Sequence, residues 1–127
     1  MTAVALTSPI TGVADDAWRV FVAAMTVRPA VDALDSKGFG CFDLRPRRLA
    51  ELGLANPTTF EECYKAFAKS VATYADDIRD GRLTAPDGVS RAGALAILQR
   101  GGRGALAAYP ELFSDTREVY GRAKECF

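Results

Sequence analysis

The stretch Thr58-Thr59-Phe60-Glu61-Glu62-Cys63-Tyr64-Lys65-Ala66-Phe67-Ala68-Lys69-Ser70-Val71-Ala72-Thr73-Tyr74-Ala75-Asp76-Asp77-Ile78 decides the fold class. Phe60, Cys63, Tyr64, Phe67, Val71, Tyr74 and Ile78 recur every three or four positions, which puts them on one face of an α-helix, whereas a strand would divide them between two faces. Thr58-Thr59-Phe60-Glu61 stands ahead of the run as a capping box. The spacing predicts a long helix that crosses the core.

Further helices follow on both sides. Asp15 and Asp16 place negative charge at a helix start, with Trp18, Phe21, Val22 and Met25 on one face; Arg28-Pro29 ends or kinks that helix. Pro29 opens a short turn to Leu34. Pro46 opens a helix carrying Leu49, Leu52 and Leu54, stopped by Gly53 and Pro57. Asp80-Gly81 closes the long helix, and a linker around Pro86 leads to Ser90, the cap of a helix bearing Leu95, Ile97 and Leu98. Gly101-Gly102 and Gly104 break it. A short helix, Ala105–Tyr109, and a last one from about Ser114 to Cys126, with Val119 and Tyr120 inward, complete the set. The only β-structure to expect is a very short hairpin near 38–44, where glycines and large apolar residues alternate. The reading is thus an all-α chain: an extended N-terminal arm over 1–13, ordered only by contact with a neighbouring subunit, and one helical domain over 14–127.

Composition narrows the function. The 127 residues are 49% hydrophobic, enough for one core, and sixteen Lys+Arg balance sixteen Asp+Glu. A neutral molecule has no long-range field to draw it to nucleic acid or an anionic membrane, so neither is an expected partner. No apolar run approaches the roughly 20 residues of a membrane span. Met1–Ile10 lacks the pattern of a secretory signal, so the chain is expected to be made and kept in a cell, or packaged from one. There is no histidine, and Cys41, Cys63 and Cys126 are widely spaced. This argues against a zinc site, a disulfide framework and Ser-His or Cys-His catalysis; no metal or cofactor is expected, and the cysteines read as buried or free thiols.

Three features carry potential chemistry. Arg45, Arg47 and Arg48 form a positive edge that can hold phosphate, carboxylate or a polyanion, or else a solvated helix start pairing with Glu51. Gly101-Gly102-Arg103-Gly104 matches a phosphate-binding turn in composition only, without the preceding strand and the lysine of a P-loop. Asp35, at a predicted helix end between Leu34 and Phe39, can have its pKa raised by desolvation and donate a proton, or can be an ordinary turn residue.

From about Ala30 to Glu125 the order of elements resembles the lysozyme-like fold of soluble lytic transglycosylases and goose-type lysozymes. Asp35-Ser36 stands where that family has Glu-Ser at a helix end. Gly40-Cys41-Phe42-Asp43-Leu44 resembles its Gly-Leu-Met-Gln-like strand, and Pro46 opens the next helix. Ala105-Leu106-Ala107-Ala108-Tyr109 looks like its Ala-Leu-Ala-Ala-Tyr segment, and Asp115-Thr116-Arg117-Glu118-Val119-Tyr120 is similar to its closing Glu-Thr-Arg-x-Tyr stretch. The resemblance implies Asp35 as general acid in peptidoglycan cleavage, with Ser36, Phe39, Asp43 and Tyr109 around the substrate.

The sequence departs from the family where catalysis is most sensitive. The catalytic glutamate is Asp35, the loop after Ser36 is several residues short, the strand's glutamine is Asp43, and Tyr109 is followed by Pro110-Glu111 instead of Asn-Ala-Gly. Aspartate reaches about 1.5 Å less far than glutamate, and a displacement of about 1 Å can cost about a hundredfold in rate. The fold outlasting the activity is the resulting expectation. It describes a bacteriophage virion subunit, of tail or capsid, made in the host cytoplasm, with weak or no peptidoglycan cleavage and with other virion proteins or copies of itself as partners. Two alternatives stand beside it: an active muramidase or lytic transglycosylase using Asp35, and an unrelated, cytoplasmic helical adaptor.

Overall fold

Caps and turn residues set the helix limits. The computed structural model describes residues 6–25 and 44–127, with helices α1 (Asp15–Met25), α2 (Pro46–Glu51), α3 (Phe60–Arg79), α4 (Arg91–Ala108) and α5 (Ser114–Ala123). The fold is all-α, and no strand occurs among the described residues. The hairpin expected near 38–44 lies, apart from buried Leu44, outside them.

Helix α3 starts one residue later than the predicted box. Thr59 is the N-cap and accepts from the Glu62 amide, while the Glu62 carboxylate accepts from the amide and hydroxyl of Thr58. Cys63, Tyr64, Phe67, Val71 and Tyr74 are buried and Ile78 is partly buried against the core. Phe60 differs: in the first position of the helix, at the end of its apolar stripe, it is 42% exposed.

An aromatic cluster joins α1 to α3. Trp18 and Phe67 are fully buried with centroids 5.8 Å apart, and Phe21 lies 5.6 Å from Trp18 and 5.4 Å from Phe127. Trp18 Nε1 donates to the Tyr64 hydroxyl at 2.7 Å, which itself donates to the Thr7 carbonyl at 3.3 Å, so each polar tip in the cluster has a partner.

That last bond corrects the expectation for the arm. From Leu6 to Val13 the chain packs on its own domain, with Ile10 and Val13 buried in the core and the Ser8 amide donating to Asp15. Two apolar anchors and hydrogen bonds to α1 and α3 offset the ordering cost within one chain.

The centre of the molecule is the first half of α4, where every residue from Ala92 to Arg100 is buried. Ser90 caps it by accepting from the Gly93 amide. Alanine and glycine on its faces let neighbours approach closely: a Cβ on Gly93 would lie 2.5 Å from the Tyr120 ring of α5. α4 packs most extensively against α5, which buries Thr116, Val119 and Ala123. The predicted break at the glycines is a kink inside α4, because Gly102 adopts φ +82° and ψ −176°, a conformation suited to residues without a Cβ.

The cysteines also differ from expectation. Cys63 is disulfide-bonded, its partner lying outside the described residues, and Cys126 is a free thiol whose pKa burial raises. Wide spacing in sequence carries no distance information, and the fold alone decides which sulfurs meet. Among the described residues, no group of three His, Cys, Asp or Glu side chains is placed to hold a metal. No helix of the described residues is long and apolar enough to cross a membrane.

Candidate functional site

The kink in α4 turns Arg103 toward the short helix α2, and the space between them is a cleft of about 280 Å³. Its walls carry Arg45, Arg47 and Arg48 from α2 and its N-cap, Arg100 and Arg103 from either side of the kink, and the ring of Tyr74 from α3. Two sequence features that sit more than fifty residues apart, the basic start of α2 and the glycine turn of α4, therefore form one site.

The arginines divide into two that build the cleft and others that face outward. Arg48 donates from Nε to Ser70 Oγ and from Nη2 to the Ser70 carbonyl, both at 2.9 Å, and from Nη1 to Glu51 at 3.1 Å. Its guanidinium lies 3.7 Å from the Tyr74 ring centroid, a cation–π contact that fixes the plane of the ring. Arg100 is buried and donates to Asp115 at 2.7 Å, tying α4 to the first turn of α5. Arg47 is 92% exposed and reaches Glu51 only at 3.9 Å, while Arg103 is 55% exposed and reaches Asp77 at 3.8 Å. With exposed side chains and only long ion-pair contacts, both guanidinium groups can readily turn to a better-placed anion.

The electrostatics point toward binding. Burial raises the Tyr74 pKa, against the opposing pull of Arg48 and Arg103, so this hydroxyl stays protonated at neutral pH. Among the described residues Glu51 is the one carboxylate lining the cleft, and it is ion-paired to both Arg47 and Arg48.

No family model matches the chain, and no curated protein and no solved structure is significantly similar to it.

Of the residues that the resemblance assigned to a cleavage site, Asp35, Ser36, Phe39 and Asp43 lie outside the described residues. Tyr109 is described. It is half-buried at the end of α4, its ring 5.7 Å from that of Tyr120 in an edge-on contact. The hydrogen bond between the two hydroxyls, followed by burial, raises the Tyr120 pKa. Sequence reasoning identified the arginines of α2 but missed Arg100, Arg103 and Tyr74 as their companions. Tyr74 looked like one more core aromatic, and only the direction of the kink relates Arg103 to α2.

A second depression adjoins the cleft, shares Arg45, Arg100 and Gly104 with it, and measures about 560 Å³. Ala105, Ala108, Leu112 and Phe113 give it apolar walls, and Glu111 and the Arg100-paired Asp115 also line it. Phe113 is 87% exposed, a large apolar side chain at the start of α5.

Proposed function

We propose that this chain is a structural subunit of a bacteriophage virion, of tail or capsid, that works by holding a neighbouring protein and has weak or no activity on peptidoglycan. The observation that carries the reading is the make-up of the cleft: a concentration of guanidinium groups, a carboxylate already paired, and a protonated tyrosine serve recognition of an anion better than proton transfer. The disulfide at Cys63 is consistent with a working life outside a reducing cytosol, as on a virion surface. Tyr109, engaged by Tyr120, is occupied with helix packing at the position where the resemblance asks for a substrate contact.

The test has two arms. Mass spectrometry of gradient-purified phage particles is expected to find the chain in fixed proportion to the major virion proteins, and the purified chain is expected to leave a peptidoglycan suspension turbid. Absence from particles removes the virion assignment. Rapid clearing that Asp35→Asn abolishes establishes the enzyme instead.

A further inference from the structure

We infer that the arginine cleft and the apolar depression beside it form one groove that takes an acidic peptide segment of a neighbouring protein, carboxylates at the Arg47 and Arg103 end and a large apolar side chain against Leu112 and Phe113. The inference rests on the reading above that the chain acts by binding, and it names the surface and the chemistry of the partner.

Charge complementarity supplies the first half. Among the described residues lining the cleft there are five arginines and one carboxylate, Glu51, although the whole molecule is neutral. The positive potential is therefore local and suits a short anionic segment that docks by contact. A guanidinium presents paired N–H donors that match a carboxylate, and the long Arg47–Glu51 and Arg103–Asp77 pairs leave both groups able to turn to an incoming anion.

The second half comes from what continues the cleft. A uniformly charged polyanion leaving the arginines along the shared wall meets the apolar side chains of the adjoining depression, whose lining also holds the Glu111 carboxylate. A phosphate backbone would lay repeated charge along these apolar walls, without the continuous positive surface that nucleic-acid binding needs. A peptide can change character from one residue to the next. An aromatic or leucine side chain following its acidic residues would cover Phe113, which is otherwise 87% exposed, and aromatic surface of this kind is what anchors protein interfaces.

Fluorescence anisotropy on the intact chain tests this with a fluorescein-labelled Glu-Glu-Glu-Leu-Phe peptide, an all-glutamate peptide of equal length and a single-stranded DNA oligonucleotide. The mixed peptide is expected to bind saturably and more tightly than the other two, and its binding should weaken with added salt, since the Debye length falls from about 8 Å to about 3 Å between 0.15 M and 1 M. Arg47→Glu with Arg103→Glu should lower its affinity by about tenfold or more, because like charges then face each other. Phe113→Ala should lower it severalfold and leave the all-glutamate peptide unaffected. All three side chains are exposed, and unchanged circular dichroism verifies folding. No saturable binding, tighter binding of the DNA, or indifference to either variant overturns the groove. Failure here with the chain present in particles removes the groove and leaves the virion assignment standing; binding here with the chain absent from particles does the reverse.

Discussion

Ser70 Oγ donates a 2.6 Å hydrogen bond to Gln99 Oε1, joining α3 to α4 in the buried interior, and the same oxygen accepts from Arg48 Nε of α2. One hydroxyl thus links three helices beneath the arginine cleft. Ser70→Ala removes a donor and an acceptor where water does not reach, and a buried polar group deprived of its partner costs about 1–3 kcal/mol. The variant should unfold at lower urea concentration by that amount, while Arg48 keeps its bonds to the Ser70 carbonyl and to Glu51 and so stays in the cleft wall. A change below about 0.5 kcal/mol would show that neighbouring groups take over its role.

Phe67 and Phe60 occupy one predicted stripe but should behave differently. Phe67→Ala opens a void within the Trp18–Phe21–Phe67 cluster and should cost about 3–5 kcal/mol. Phe60 is 42% exposed at the helix start, so its truncation should cost less than about 1 kcal/mol. Equal losses in urea unfolding would contradict the burial difference.

Those two residues also mark how far the sequence could be read. Periodicity identified α3 and the inward faces of Trp18 and Phe67 because hydrophobic spacing is a local property of a helix. It placed Phe60 in the core because a stripe does not announce where its neighbours end. The first half of α4 escaped notice as the centre for the opposite reason: a helix buried on every side has no amphipathic pattern, and Ala92, Ala94 and Ala96 look unremarkable until other helices close over them. The site divides in the same way. Arg45, Arg47 and Arg48 are neighbours in sequence and could be seen as a cluster, whereas their meeting with Arg103 depends on one backbone angle at Gly102.

Two helix glycines should respond oppositely to alanine. A methyl group on Gly93 would lie 2.5 Å from Tyr120 Cε2 and 3.0 Å from Ser90 Oγ, so overpacking of about 1–3 kcal/mol outweighs a helix-propensity gain of about 1 kcal/mol. A methyl group on Gly121 in α5 meets nothing within 4 Å, and Gly121→Ala should stabilise by about 0.5–1 kcal/mol. Thermal unfolding should lower the midpoint for the first and raise it for the second.

The thiols give a chemical test. With Cys63 disulfide-bonded and Cys126 free, a thiol reagent should label Cys126 in the unreduced chain and all three cysteines after reduction in denaturant. Burial raises the Cys126 pKa, so less thiolate is present at a given pH and its labelling should lag behind a small-molecule thiol until the pH is raised. Labelling of Cys63 in the unreduced, native protein would exclude the disulfide.

Glu62 should give the protein an acid-sensitive helix start. The Thr58 amide donates to its carboxylate at 2.8 Å and the Thr58 hydroxyl at 2.9 Å, and these two bonds, with a smaller contribution from Lys65, hold its pKa below the ordinary 4.5. A carboxylate with a depressed folded-state pKa contributes stability that is complete above its unfolded pKa and is lost as pH falls through the folded value. Glu62→Ala removes the bonds at every pH. The stability gap between the two proteins, measured by urea unfolding, should therefore be widest at neutral pH, begin to narrow near the ordinary carboxylate range, and close below it. A gap that stays constant on acidification would assign the loss to helix propensity and leave the charged cap without a role.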